Sequence, residues 1–433
     1  MSDIYGIDLG TTNSLIGLNG TLIGGLTPSI ADLKNKRAGE SERTNYEAER
    51  GFKTNMSMSI AGAMPIAASC EVLKELKRVA GVSDKHIKAV VSVPAYFNQS
   101  QRQATLRAAD KAGIEVVSLI NEPTAAAIYI GKHKPGVSVI FDLGGGTFDI
   151  SVIESSPTGE YRVLATDGCI LGGNNLDSAI QVHFANQTER PWAFVADKST
   201  FDLATRAKHE LTDFPPPEES VQMYNGKPLR ITSKDYQRIM KNTFAKALTL
   251  TKAVIFESGI NIQDAAFYFV GGSTKCPYLR EWIQNELDII ACADSMFDPD
   301  LTVALGACYY AQLFERGQAA EKITDVSKVI GFDRGDGIME VLISKNSNIP
   351  FSNETIHIQN ITADTLNLRF YQGDSIFVDE CEEIGQLSMP ITTKDADNNL
   401  VFGITTSMST SGVITLKCFE ILGEPTEVTM KGC

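Results

Sequence analysis

The sequence predicts an α/β domain built from two similar halves, followed by a small all-β module. Three observations carry that expectation. Apolar runs of strand length alternate with helical segments from Ile4 to about Ala319. From about Val326 onward, short runs rich in Thr, Val, Ile and Phe are separated by turn signals at residues 333–337, 372–374, 395–399 and 410–412. A strand ending in aspartate and a glycine turn also occurs twice within the α/β part, and such internal echoes decide folds. A chain of 433 residues exceeds one ordinary core, which agrees with two or three domains.

The first copy is Ile4-Tyr5-Gly6-Ile7-Asp8-Leu9-Gly10-Thr11-Thr12, leading into an apolar strand over 14–18. The second is a strand over 137–141, then Asp142-Leu143-Gly144-Gly145-Gly146-Thr147, returning through 148–153. A phosphate chain needs backbone N–H groups close to its oxygens, and glycine permits both the turn and the close approach. Threonine hydroxyls add donors. An aspartate at the end of each strand suits magnesium held through its water shell. One copy alone reads equally as a tight hairpin whose aspartate caps a turn. Two copies, one per half, favour a phosphate site facing a cleft.

A third glycine turn, Gly271-Gly272-Ser273, follows a strand over 266–270 and precedes a helix from about Pro277. It can lie against a nucleotide or be a plain strand-to-helix turn. Asn121-Glu122-Pro123-Thr124 opens an alanine-rich helix, with Pro123 suited to the first turn. Glu122 there either complements the helix terminus or orients a water for attack on phosphate.

Composition excludes other classes. Lys plus Arg number 39 and Asp plus Glu 53, a net charge of −14 with no basic run that could track nucleic acid. The eight cysteines form no Cys-x-x-Cys pair and suit no zinc spacing, so they read as reduced thiols. No leader or membrane-length apolar stretch is evident, and a cytoplasmic, monomeric protein is the expectation. The β module holds seven basic against fifteen acidic side chains and so carries more than half of the net charge.

Several segments together resemble the heat shock protein 70 (DnaK-type) chaperone family. They are Asp8-Leu9-Gly10-Thr11-Thr12-Asn13-Ser14, Val93-Pro94-Ala95-Tyr96-Phe97, Gln101-Arg102-Gln103-Ala104-Thr105, Asn121-Glu122-Pro123-Thr124-Ala125-Ala126-Ala127 and the run from Asp142 to Asp149. The resemblance continues through Val270-Gly271-Gly272-Ser273-Thr274 and Asp298-Pro299-Asp300 into the β module at Ile349-Pro350 and Gln372-Gly373.

It implies an actin-like (ribonuclease H-like) two-lobed ATPase domain over 1–320, a linker over 321–326 and a β-sandwich peptide-binding domain over 327–433 without a helical lid. The implied cofactors are ATP/ADP, Mg2+ and K+. Asp8 and Asp142 would flank the magnesium shell, and Gly10, Thr11, Thr12, Asn13, Gly144, Gly145, Gly146 and Thr147 would cradle phosphates. Glu122 and Asp149 would position the attacking water or a cation. Lys53, in Gly51-Phe52-Lys53, resembles the family's catalytic lysine; on its own it reads as a surface lysine. Lys208, Thr212, Gly271, Gly272, Ser273, Lys275 and Asp300 would form the adenosine side.

Pro94, Arg102 and Asp325 resemble the relay to the neighbouring domain, although Arg102 alone would read as an exposed helix residue. Phe332, Leu366, Leu368 and Val413 align with the peptide pocket, or else belong to the sandwich core. The implied partners are extended polypeptide segments, a J-domain co-chaperone and a nucleotide exchange factor. An adaptor that binds nucleotide for structure is the alternative reading.

The chain departs from the family pattern in places. Thr205 stands at a ribose-binding glutamate, Lys275 at an adenine-stacking arginine, Leu301 at a glutamate and Ser118 at an arginine. Arg and Lys are not interchangeable at a stacking site. The segments 19–60 and 186–236 look abbreviated. Lys322-Ile323-Thr324-Asp325-Val326 replaces a leucine-rich linker, and each apolar side chain lost from full burial would remove about 1.5–3 kcal/mol of docking. Weakened linker docking is therefore expected.

Overall fold

The computed structural model describes residues 3–56, 63–213, 215–292, 296–317, 323–324, 328–345, 347, 349–409, 412–422 and 427–431. Two five-stranded sheets form the centre of the α/β part, with a three-stranded sheet of Arg37–Ala38, Ile30–Asp32 and Glu49–Arg50 and a hairpin of Glu219–Tyr224 and Lys227–Thr232 outside them. The first has the spatial order Thr21–Pro28, Asn13–Leu18, Ile4–Asp8, Ile87–Val93, Ile114–Asn121, and the second Ala266–Val270, Gly136–Leu143, Phe148–Ser155, Tyr161–Cys169, Ile323–Thr324. Each sheet pairs its glycine hairpin antiparallel and then adds a parallel strand beside the hairpin's first strand. The echo in sequence is thus an echo in topology.

Local sequence explains the elements that place the site. Ile87–Val93 is covered on both faces and reads as an almost continuous apolar run, as central parallel strands do. Helix Gln99–Lys111 starts at Asn98, whose side chain accepts from the Gln101 N–H while Gln101 reaches back, a reciprocal capping box. Helix Glu122–His133 has Pro123 in its first turn. Helix Ser233–Ser258 is capped by Thr232 and stopped by Gly259 at φ 69°. Helix Thr302–Glu315 packs on both strand Ile4–Asp8 and helix Glu122–His133. Gly306 faces the Ala125 backbone so closely that any side chain there would collide.

Residues 330–431 fold as two four-stranded sheets. One has the order Met339–Ile343, Ile330–Asp333, Thr365–Gln372, Glu382–Pro390; the other is Phe351–Asn360, Asn399–Met408, Ile414–Glu420, Glu427–Lys431. Their inner faces share one core, which includes Ile330, Phe370, Leu400, Phe402 and Leu416. No helix among the described residues is long and apolar enough to cross a membrane. The described cysteines are all free thiols.

Part of the expected linker has a regular backbone partner. Ile323–Thr324 adds to the second sheet as a parallel strand beside Tyr161 and Arg162. Strand addition uses main-chain groups, which a polar sequence supplies as well as a leucine-rich one. Asp325 lies outside the described residues.

The sandwich also meets the first lobe directly. Gln99 donates from Nε2 to the Gly412 carbonyl at 2.7 Å and accepts from the Ile414 N–H at 3.3 Å. Asn98 Nδ2 donates to Glu382 at 2.6 Å, and on the second lobe Lys345 pairs with Glu257 of helix Ser233–Ser258 at 2.9 Å.

Candidate nucleotide site

The two hairpins face each other at the base of the cleft. A Cβ on Gly146 would lie 2.7 Å from Thr11 Cγ2 and 2.8 Å from Thr54 Cγ2, so their tips touch from opposite lobes. A Cβ on Gly144 would meet nothing nearer than 3.8 Å, although its N–H already donates to the Thr147 carbonyl at 3.0 Å. The Thr11 hydroxyl is buried without a partner, as is Asp149 Oδ2. Unsatisfied polar atoms of this kind in a cleft suit a polar ligand.

Five ionisable groups converge there. Asp8 ends its strand and accepts from Ser92 Oγ at 2.6 Å. Asp142 ends the equivalent strand and lies opposite Asp149 across the second hairpin. Asp149 accepts from the Ala95 N–H at 2.7 Å, beside Pro94. Lys53, in the short turn Phe52–Asn55, is buried and hydrogen-bonded to Glu122. The surface reading of Lys53 is therefore overturned: a buried ammonium needs its carboxylate.

Burial raises the pKa of Asp8, which Lys53 and Ser92 oppose. Burial likewise raises Glu122, against Lys53. Asp142 is pushed well above the carboxylate range by burial and then by Glu122, Asp149 and Asp8. Asp149 is pushed well up by burial and then by Glu122. Four carboxylates around one lysine make a site short of positive charge.

The adenosine side is assembled but engaged within the protein. Ser273 donates to the Gly144 carbonyl at 2.8 Å, which ties the third glycine turn to the second hairpin. A Cβ on Gly173 would meet Ser273 Oγ at 2.8 Å and Lys208 Nζ at 3.3 Å. Lys208 pairs with buried Asp177 at 2.8 Å. Lys275 pairs with Asp300 at 2.5 Å and Asp298 at 3.7 Å. The hydroxyls of Thr205 and Thr212 donate to carbonyls of their own helix, those of Phe201 and Lys208. Asn13 opens the first hairpin's return strand, and Gly271, at φ 82°, and Gly272 lie against Asp142 and Asp300.

Arg102 is buried, contrary to the exposed-helix reading. Its guanidinium donates to the Phe97 carbonyl at 3.1 Å and to Asn121 Oδ1 at 2.6 Å, next to Glu122. Phe332, Leu366 and Leu368 are 3%, 1% and 2% exposed and belong to the sandwich core, which corrects the pocket expectation for them. Alternation on a strand cannot separate a core face from a ligand face. Val413 lies between Gly412 and Ile414, at the contact with Gln99.

Comparison with known proteins agrees with this geometry. The Hsp70 protein family profile matches residues 34–427. The chain belongs to the Hsp70 family. An HscA-homolog chaperone protein of Polynucleobacter necessarius subsp. necessarius (strain STIR1) is 33% identical over 341 residues, covering 75% of this chain and 54% of that protein. The corresponding protein of Polynucleobacter asymbioticus is 31% identical over 475 residues, covering 96% and 76%. That of Janthinobacterium sp. (strain Marseille) is 30% identical over 380 residues, covering 84% and 60%. The chain thus spans about half to three quarters of the length of these relatives. The Hsp70 assignment carries the actin-like ATPase fold, and the two lobes and the β sandwich are consistent with it.

Ser92, Asp177 and Gln99 were missed in sequence. Ser92 had a signal, a lone hydroxyl inside an apolar strand. Gln99 lies inside a visible capping box, but nothing local marks it as an interdomain contact.

Proposed function

We propose that this Hsp70-family chain binds ATP in the interlobe cleft, hydrolyses it slowly, and lets the nucleotide state set how its β module holds extended polypeptide segments. The observation that carries the reading is the gathering of buried Glu122, Asp142 and Asp149, with half-buried Asp8, around Lys53 at the tips of two facing glycine hairpins. A phosphate chain would add negative charge to a site already rich in it, so a cation must enter with it. Magnesium, when bound, neutralises charge on the phosphates.

Asp8 and Asp142 would hold the ion through water, since magnesium sheds its water shell reluctantly. The Thr11, Thr12 and Thr147 hydroxyls and the Gly144 to Gly146 backbone bind phosphate oxygens. Lys53 meets the transferring phosphoryl group. Glu122, oriented by Lys53, accepts the proton of the attacking water, and Asp149 holds that water or a potassium ion.

Coupling runs from Glu122 through its neighbour Asn121 to Arg102, and along that helix to Gln99 and the sandwich. Exposed Ile338, Ile376 and Phe377 offer the β module apolar surface for an extended segment. A J-domain co-chaperone and an exchange factor are the partners this reading assigns.

Phosphate release by the purified full chain tests it. Magnesium-dependent turnover is expected, and Glu122→Ala or Thr147→Ala should lower it by about 100-fold. Turnover unchanged in both variants would sink the reading. The engagement of Lys275 with Asp300 and Asp298 favours a second reading, an adaptor that acts through a partner chaperone. ATP-dependent peptide release that Gln99→Ala uncouples supports the first. A stable partner complex indifferent to Glu122→Ala supports the second.

A further inference from the structure

Ser92 is the one hydroxyl in the strand Ile87–Val93, between Val91 and Val93, and it is fully buried. A buried hydroxyl is costly unless it is bonded, and alanine would fit the same place without that cost. Its partner is the Asp8 carboxylate, at 2.6 Å from Oγ to Oδ1. That is the length of a hydroxyl donating to an ionised oxygen. The register explains how they meet: the strand runs parallel to Ile4–Asp8 with Ile7 beside Val91, so Ser92 comes level with Asp8.

Nothing equivalent holds Asp142. Its backbone is level with Asp149 and Val270, yet among the described residues no hydrogen-bond donor reaches its carboxylate. The two aspartates that echo each other in sequence are therefore unequal: one accepts a hydrogen bond from a neighbouring strand and the other is packed against Gly271 without one.

We propose that Ser92 is a positioning residue that fixes the Asp8 carboxylate. One oxygen is engaged by the hydroxyl, and the carboxylate's orientation toward the cleft is set before any ion arrives. Asp142 then adapts to the hydrated cation that Asp8 has located. Preorganised acceptors give up less freedom on binding, and a partner behind a metal-facing group commonly changes metal affinity by 10–100-fold. This inference rests on the ATP-binding reading.

The test is binding of a fluorescent ATP analogue to the full chain as magnesium is titrated from an EDTA-buffered start. Ser92→Ala should raise the magnesium midpoint about tenfold. Affinity for the analogue in EDTA should stay as in the natural sequence. Ser92→Thr, which restores the hydroxyl, should bring the magnesium midpoint back.

An unchanged midpoint in Ser92→Ala overturns the assignment. So does an affinity loss that is equal with and without magnesium, since that marks a packing role. Failure of the natural sequence to bind the analogue at any magnesium concentration would overturn the ATP reading itself, and this assignment with it. Binding by the natural sequence with no shift in the variant overturns Ser92 alone.

Discussion

The two glycine hairpins share a sequence pattern and a topology but are braced from different directions. The first is held by serines of its own lobe. The Gly10 N–H donates to Ser14 Oγ, Ser14 Oγ lies 2.8 Å from Ser29 Oγ, and Ser29 returns to the Gly10 carbonyl at 2.7 Å. The second is held by chain that arrives later. The N–H groups of Gly173 and Asn174 donate to the carbonyls of Gly144 and Gly145 at 3.0 and 2.8 Å, and Ser273 adds its hydroxyl to Gly144. The first hairpin is thus closed by residues no more than 19 positions away in the chain. The second is shaped by the residues that would line the adenosine side, so ligand contacts there act on the phosphate turn directly.

The largest effect should come from what the hairpins share. Lys53→Ala removes the lysine paired with Glu122 between them and should lower single-turnover hydrolysis by about 100-fold or more, whatever the state of either brace. A smaller loss would mean the halves function separately. Next is Gly271→Ala in the support of the second hairpin. Its φ is 82°, and a Cβ would lie 2.5 Å from the Leu143 carbonyl oxygen and 2.7 Å from Asp142 Oδ1. A destabilisation of about 2 kcal/mol is expected, together with weaker nucleotide binding, by thermal melting and titration.

Ser29→Ala opens the first brace by one buried hydrogen bond, at about 1 kcal/mol. Stability should fall while nucleotide affinity changes little, because the strand Asn13–Leu18 still pairs on both sides. An affinity loss as large as that of Gly271→Ala would erase the contrast between the two hairpins.

The smallest effect concerns pH. Asp142 has a folded pKa well above its unfolded value, so the folded state binds the extra proton. The stabilisation this provides is complete below the ordinary carboxylate range and is lost as pH rises through the raised folded value. Ligand-free protein should therefore gain stability from this group as pH is lowered from neutral, and Asp142→Asn should flatten that slope. The same slope in the variant assigns it to other groups.

Glycines, threonines and acids in a doubled pattern were legible because phosphate chemistry leaves few alternatives at those positions. Lys53 was ambiguous because its partner Glu122 is distant in the chain, and only folding buries the two together. Arg102 looked like a surface residue for a related reason: Phe97 O is local, but Asn121 belongs to a strand end 19 residues on that reaches it only in the folded lobe. The pocket positions Phe332, Leu366 and Leu368 failed because strand alternation reports which residues share a face and not what covers it.

By itself, then, the sequence determined the two-part architecture, the doubled hairpin and the acids at its strand ends. These follow from local periodicity and from glycine's backbone freedom, which act over a few residues. Tertiary structure alone decided how the linker docks, which aspartate is fixed, and that Gln99 joins the lobes to the sandwich. Each of those depends on a partner brought near only when the sheets assemble, and hydrogen bonds of a few ångströms leave no trace in the spacing of the chain.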